Sequence, residues 1–286
     1  MITQSKSLFP RKRRRRTVWS ILGELLLLIL AIMILIPFYY MIVNVFKTQQ
    51  EMAKTPLALP TQLYFDNFKD VFKRIRFGTA LKNTTLITFF SIILVIVLGS
   101  MSGYAVARRK HWIYKGIMLY FLLGFMVPVQ TTMIPLFLLM QKMKLINTIP
   151  GVIVLMSGGC TFAFFLYQGF VSTVPMDLEE SARIDGASVL RVFVSIIFPL
   201  LQPVTVTLTI FHIMGTWNDF VTPFLFLSSR ENTTLMLEMR QGVGEFSTDW
   251  PMILSTMTVV ISPLVIFYLF AQRYIIDGLV SGALKG

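Results

Sequence analysis

The sequence predicts an all-α integral membrane protein that crosses the bilayer six times, and three observations carry that prediction. Of 286 residues, 55% are hydrophobic and only 14% charged, with a mean hydropathy of +0.70. Charges that sparse do not cover a soluble domain of this size. The apolar residues also gather into six runs that reach or exceed the roughly 20 residues a helix needs to cross the hydrocarbon core. Finally, the densest charge, Arg11 to Arg16, stands directly before the first run, where it acts as a topology signal. The net charge of +12 is therefore not read as a nucleic-acid footprint.

The basic tail, residues 1–17, leads into runs near Val18 to Tyr40, Leu81 to Ala107, Gly116 to Met140, Ile149 to Val171, Leu200 to Leu227 and Pro251 to Gln272. Residues 18–272 form one membrane domain, and residues 273–286 a tail. The first run is long and no small-residue cleavage site follows it, so it is read as a retained helix. Its basic flank puts the N-terminus in the cytoplasm, and six crossings return the C-terminus there. The first outer loop runs against this rule, with Lys47, Lys54, Lys69, Lys73, Arg74 and Arg76 on the outer side. In that loop Phe65, Phe68, Val71, Phe72 and Ile75 recur at helical spacing. Such a segment lies in the membrane interface or packs under an outer partner.

Prolines stand inside the runs at Pro37, Pro128, Pro135, Pro203, Pro223 and Pro263. Each frees a backbone carbonyl, so these helices are expected to kink for packing or to break beside a pathway. The lone cysteine, Cys160, excludes an internal disulfide, and within Ser157-Gly-Gly-Cys160 it reads as a packing residue.

The chain lacks a G-x-x-x-x-G-K-[ST] phosphate loop, so any ATP used is bound by a partner. It also lacks H-E-x-x-H, clustered Cys and His, and a G-x-S-x-G elbow, so neither a metal site nor a catalytic nucleophile is expected. Charged residues are scarce within the runs, which speaks against an ion-coupled carrier. The fifth run is the exception, with His212, Thr216, Trp217, Asn218 and Asp219 toward its outer half. These residues suit the wall of a path for a hydroxyl-rich solute, Trp217 offering a flat face to a sugar ring. They equally suit hydrogen bonds between helices.

Between the fourth and fifth runs, residues 175–199 read as a polar hairpin of helices. Pro175 precedes a helix over Leu178 to Ile184, with Asp177 as its cap and Glu180 reaching back three residues later. Asp185-Gly186 ends it, and Ser188 starts a second helix with Val189, Val192, Phe193, Ile196 and Ile197 on one face. The exposed part mixes small residues, Ser181, Ala182 and Ala187, with charges at Glu179, Glu180, Arg183 and Asp185. Composition alone fits either a solvated loop helix or one that sinks into a partner's cleft.

Glu180-Ser-Ala-Arg-Ile-Asp-Gly-Ala187, continued to Pro199, resembles the E-A-A-x-x-x-G signature, ending in I-x-L-P, of permease subunits of bacterial ABC importers. Ser181 replaces its first Ala, and Phe198 its Leu. Trp217-Asn218, Asp249-Trp250 and the tail from Gln272 to Gly286 are similar to the smaller permease of maltose-type importers.

The resemblance implies a type I importer permease fold in the bacterial inner membrane. It implies that the hairpin is a coupling helix, with Glu180, Ser181, Ala182, Asp185 and Gly186 touching an ATPase subunit. A second ATPase contact is implied at Asp277, Gly278, Ser281, Gly282, Lys285 and Gly286. The loop from Ser228 to Trp250 would enter a solute-binding protein through Gly242, Gly244 and Glu245. The implied partners are a second homologous permease, two ABC ATPase subunits carrying ATP and Mg, an extracellular or periplasmic binding protein and a sugar. No cofactor, metal or nucleic acid is expected on this chain itself. The alternatives are an ion-coupled secondary carrier, an ABC permease for a non-sugar solute, and a membrane-embedded enzyme.

Overall fold

The computed structural model describes residues 18–243 and 248–283, and the chain divides into two units, Met1–Tyr64 and Phe65–Gly286. The first unit is built on α1 (Val18–Asn44), whose apolar side chains are exposed from Ile21 to Tyr39, as on a lipid-facing helix. Pro37 lies inside α1 without ending it. Buried Asn44 and Lys47 draw the following segment back. Asn44 Nδ2 donates to the carbonyls of Tyr40 (2.7 Å) and Pro56 (2.9 Å), and Lys47 Nζ donates to that of Thr55 (2.6 Å). Between them α2 (Gln49–Lys54) places Glu51 where its Oε1 accepts from the Thr61 backbone and hydroxyl. Those two hydrogen bonds hold the Glu51 carboxyl below its ordinary range.

The second unit runs α3 (Asp66–Arg74), α4 (Phe77–Ala107), α5 (Trp112–Met126), α6 (Val129–Lys142), α7 (Ile149–Met156) and α8 (Cys160–Val171). The hairpin follows as α9 (Asp177–Ile184), α10 (Val189–Val192) and α11 (Phe198–Leu200). Then come α12 (Gln202–Asn218), α13 (Val221–Phe226), α14 (Leu235–Val243) and α15 (Trp250–Ala283). A 3-10 turn at Ser157–Gly159 joins α7 to α8, and a π-helical turn at Phe193–Ile197 joins α10 to α11.

Among the described residues, four helical segments are long and apolar enough to cross a membrane: Ser20–Asn44, Phe77–Ala107, Ile149–Val171 and Trp250–Gln272. Counting each of two bent pairs as one span brings the number to six. Trp112–Met126 meets Val129–Lys142 at 100°, and Val189–Leu200 meets Gln202–Asn218 at 73°. The third run, expected over Gly116 to Met140, is thus sharply bent within its span, in line with the break or kink expected at its prolines. Val127, held extended ahead of Pro128, ends α5 there. The fifth run also stops short of Leu227: Asp219 turns extended after Asn218, and α13 restarts two residues later. Pro135 and Pro263, by contrast, sit inside continuous helices.

The core on the hairpin side joins α4, α8, the hairpin and α12 through Val95, Tyr104, Tyr167, Val192, Ile197 and Leu208. Gly99 and Gly103 let α4 approach α8. A Cβ on Gly103 would lie 2.9 Å from both the Gln168 nitrogen and Tyr167 Cβ, and one on Gly99 2.5 Å from Ala163 Cβ. Small residues four apart allow backbones this close in membrane helices.

A second core, around Val71, Ile75, Ala80, Leu235, Met252 and Val260, settles the amphipathic segment of the first outer loop. Its helix, α3, packs inside the chain against α14 and α15, where fully buried Val71 and nearly buried Ile75 find apolar cover, while Phe65 and Phe72 stay exposed.

Candidate functional site: the polar hairpin

The first hairpin helix starts one residue earlier than the capping pattern requires. Met176 is already in the right-handed helical region, and its carbonyl accepts from Glu179 N (2.9 Å) and Glu180 N (3.1 Å). Asp177 is therefore the first helical residue and not the cap, and the expected box with Glu180 does not form. A cap needs extended backbone to turn its side chain onto the free amides. Asp177 and Glu180 instead lie as negative charges in the positive first turn.

The helix end follows the sequence expectation in detail. Gly186 takes φ +84°, its N–H bonds the Arg183 carbonyl (3.0 Å), and Ala187 N bonds the Ala182 carbonyl (2.9 Å). This pair is the Schellman arrangement, which satisfies the last carbonyls of α9. Ser188 Oγ then caps α10 by accepting from Arg191 N (3.3 Å).

Of the residues expected to meet a partner, Glu180, Ser181, Asp185 and Gly186 are exposed, alongside Ile184 at 87% exposure. Ala182 is turned partly inward with Ala187 onto the core beneath the hairpin. Glu179, counted from sequence among the exposed charges, is 2% exposed. Its Oε2 accepts from the Tyr104 hydroxyl (2.7 Å) and its Oε1 from Arg108 Nε (2.5 Å). Arg183 Nη2 stands 3.6 Å away, and Arg108 Nη2 also donates to the Val174 carbonyl (3.0 Å). Sequence reasoning missed Tyr104 and Arg108. The available signal was their four-residue spacing at the polar end of an apolar run, which puts both on one helix face.

The second expected ATPase contact falls on α15, which continues through Ala283. Asp277, Gly278, Ser281 and Gly282 lie on this extension, and Lys285 and Gly286 lie outside the described residues. At about 1.5 Å per residue, its 34 residues span roughly 50 Å, well beyond a hydrocarbon core of about 30 Å.

Away from the hairpin, the polar residues of the fifth run are largely engaged within the bundle. His212 Nε2 lies 2.8 Å from Ser91 Oγ of α4 and 3.3 Å from Thr216 Oγ1. Asn218 donates to the Met214 carbonyl, and Asp219 Oδ1 accepts from Thr222 N at the start of α13. Thr216, Trp217 and Asp219 line one cavity with Thr84 and Thr234, but its volume of about 10 Å³ admits little more than a water molecule.

The expected binding-protein loop is largely structured. Asn147 Oδ1 accepts from the backbone of Ser228 and Ser229, and Asn83 Nδ2 donates to the carbonyls of Glu231 and Thr233. Buried Glu238 of α14 accepts from Arg76 N (2.8 Å). Gly242 falls in α14, while Gly244 and Glu245 lie outside the described residues.

A bundle of membrane-crossing helices with a polar hairpin at one end is the architecture of a transport permease. Residues 95–280 match the binding-protein-dependent transport system inner membrane component family. The chain is 34% identical over 258 residues to the probable starch degradation products transport system permease protein AmyC of Thermoanaerobacterium thermosulfurigenes, covering 90% of this chain and 94% of that one. It is 33% identical over 276 residues to the melibiose/raffinose/stachyose import permease protein MelC of Bacillus subtilis, covering 96% and 100%. Its fold matches a chain in the crystal structure of a bacterial ABC transporter involved in the import of the acidic polysaccharide alginate. The TM-score is 0.81 at 20% identity, over 94% of this chain and 99% of that one. The chain belongs to the binding-protein-dependent transport system inner membrane component family.

Proposed function

We propose that this chain is one of two permease subunits of an ATP-driven importer for a sugar or oligosaccharide. The observation that carries the reading is the hairpin helix, closed by Gly186 and presenting Glu180, Ser181, Asp185 and Ile184 outward from the bundle. That helix inserts into a cleft of an ATPase subunit, which binds ATP and Mg. The extension of α15 makes a second contact with the ATPases, and both termini lie in the cytoplasm. A homologous permease completes the pathway, and an external binding protein delivers the solute at the opposite end. The names of AmyC and MelC, relatives over nearly the whole chain, favour a carbohydrate as that solute. ATP binding closes the ATPases, and the hairpins convert that closure into alternating access.

The test is uptake of labelled oligosaccharides into proteoliposomes. Uptake should require the second permease, the ATPase, the binding protein and internal ATP together. Uptake by this chain alone under a proton or sodium gradient would instead establish an ion-coupled carrier.

A further inference from the structure

We infer that displacement of the hairpin enters the membrane bundle through Tyr104 of α4 and Arg108, which caps its C-terminus, with Glu179 as the positioning residue that fixes the hairpin to them. The inference rests on the permease reading above. Glu179 and Glu180 are neighbours on α9 with opposite surroundings: Glu180 is exposed, whereas Glu179 is buried against α4. One carboxylate faces outward and the other inward. Tyr104 meets both arms of the hairpin, its hydroxyl on Glu179 of α9 and its ring 5.2 Å from that of Phe193 in the second arm. Arg108 grips the first arm twice, at Glu179 and at the Val174 carbonyl ahead of α9.

The covalent route from the hairpin into α12 is less direct. It passes the π-helical turn at Phe193–Ile197 and then the 73° bend between Leu200 and Gln202. Apolar contacts of the second arm can slide, whereas charge-assisted hydrogen bonds fix both distance and direction. Because Gly99 and Gly103 seat α4 directly on α8, a push on Tyr104 and Arg108 moves two crossings together. The clamp thus delivers motion to the second and fourth crossings rather than along the chain into the fifth.

The test uses the complete transporter in proteoliposomes with Glu179→Gln, Tyr104→Phe and the double variant. The readout is sugar delivered per ATP hydrolysed, a ratio taken on assembled complexes, so reduced yield does not enter it. Glu179→Gln should lower the ratio by at least about fivefold, within the usual range for coupling between sites. Tyr104→Phe should lower it less, and the double variant no further than Glu179→Gln alone. An unchanged ratio in both single variants would overturn the inference and leave the clamp a purely structural contact. If Glu179→Gln fails to assemble, Tyr104→Phe, which removes one hydroxyl, decides the matter by the same ratio. Absence of ATP-dependent uptake in the unmodified complex would overturn the permease reading itself, a separate outcome.

Discussion

Tyr104 and Glu179, 75 positions apart, are joined by a 2.7 Å hydrogen bond that ties the first hairpin helix to the end of α4. Arg108 completes the arrangement as an ion pair in which the arginine side chain is 9% and the glutamate 2% exposed. A buried pair contributes modestly as a pair but is costly to break from one side, because the remaining charge stays desolvated. Arg108→Ala leaves Glu179 with the Tyr104 hydroxyl and, as a cation, the more distant Arg183, and should destabilise the protein by about 3–5 kcal/mol. Arg108→Lys keeps the charge without the fork that also reaches Val174, and should fall between. Thermal unfolding of the purified protein in detergent gives the ranking; an Arg108→Ala melting temperature equal to that of the parent would refute it.

The approach of α4 to α8 makes a second prediction. At Gly103 an added methyl meets the Gln168 backbone nitrogen and Tyr167 Cβ, whereas at Gly116 of α5 nothing lies within 4 Å. Gly103→Ala should therefore cost about 1–3 kcal/mol by overpacking. Gly116→Ala should be neutral or stabilising by up to about 1 kcal/mol, since alanine is the better helix former. Equal shifts in melting temperature for the two variants would show that no close approach exists at Gly103.

What was legible in the sequence was what local chemistry decides. Apolar runs fixed six crossings, and Asp185-Gly186 fixed the end of the hairpin helix, because only a residue without Cβ enters the left-handed region cheaply. Pro128 and Pro135 could not be told apart, being the same residue in one run. The chain bends at the first because Val127, ahead of it, is held extended, while α6 continues through the second. Glu179 and Glu180 were equally ambiguous. Which of two adjacent carboxylates is buried depends on Tyr104 and Arg108, more than seventy positions away, and no local pattern carries that. The G-x-x-x-G of Gly99 and Gly103 was readable but says nothing of its partner, which is α8.

Gly186 offers a third test, one that separates backbone from side-chain effects at the hairpin. At φ +84° a Cβ would meet no neighbour within 4 Å, so any penalty there is conformational. Gly186→Ala should cost about 1 kcal/mol and Gly186→Asn less, because asparagine tolerates the left-handed region. Gly186→Val, β-branched, should be the worst of the three. Thermal unfolding ranks them, and a pulldown of the partner ATPase should follow the same order. Equal behaviour of Asn and Val would remove the backbone explanation.

The Ser91 to His212 contact provides a test between two uses of the polar fifth crossing. His212 Nε2 lies 2.8 Å from Ser91 Oγ on α4, so the pair links two helices inside the bundle. Side-chain hydrogen bonds between membrane helices are worth on average about 0.6 kcal/mol and at most about 1.7 kcal/mol. Ser91→Ala and His212→Ala should therefore each destabilise modestly, and a double-mutant cycle should return a coupling within that range. Solute competition in uptake assays should stay as in the parent, since neither residue is assigned to the solute. A coupling near zero together with altered selectivity between oligosaccharides would mean that His212 faces the translocation path, the other use its sequence context suggests.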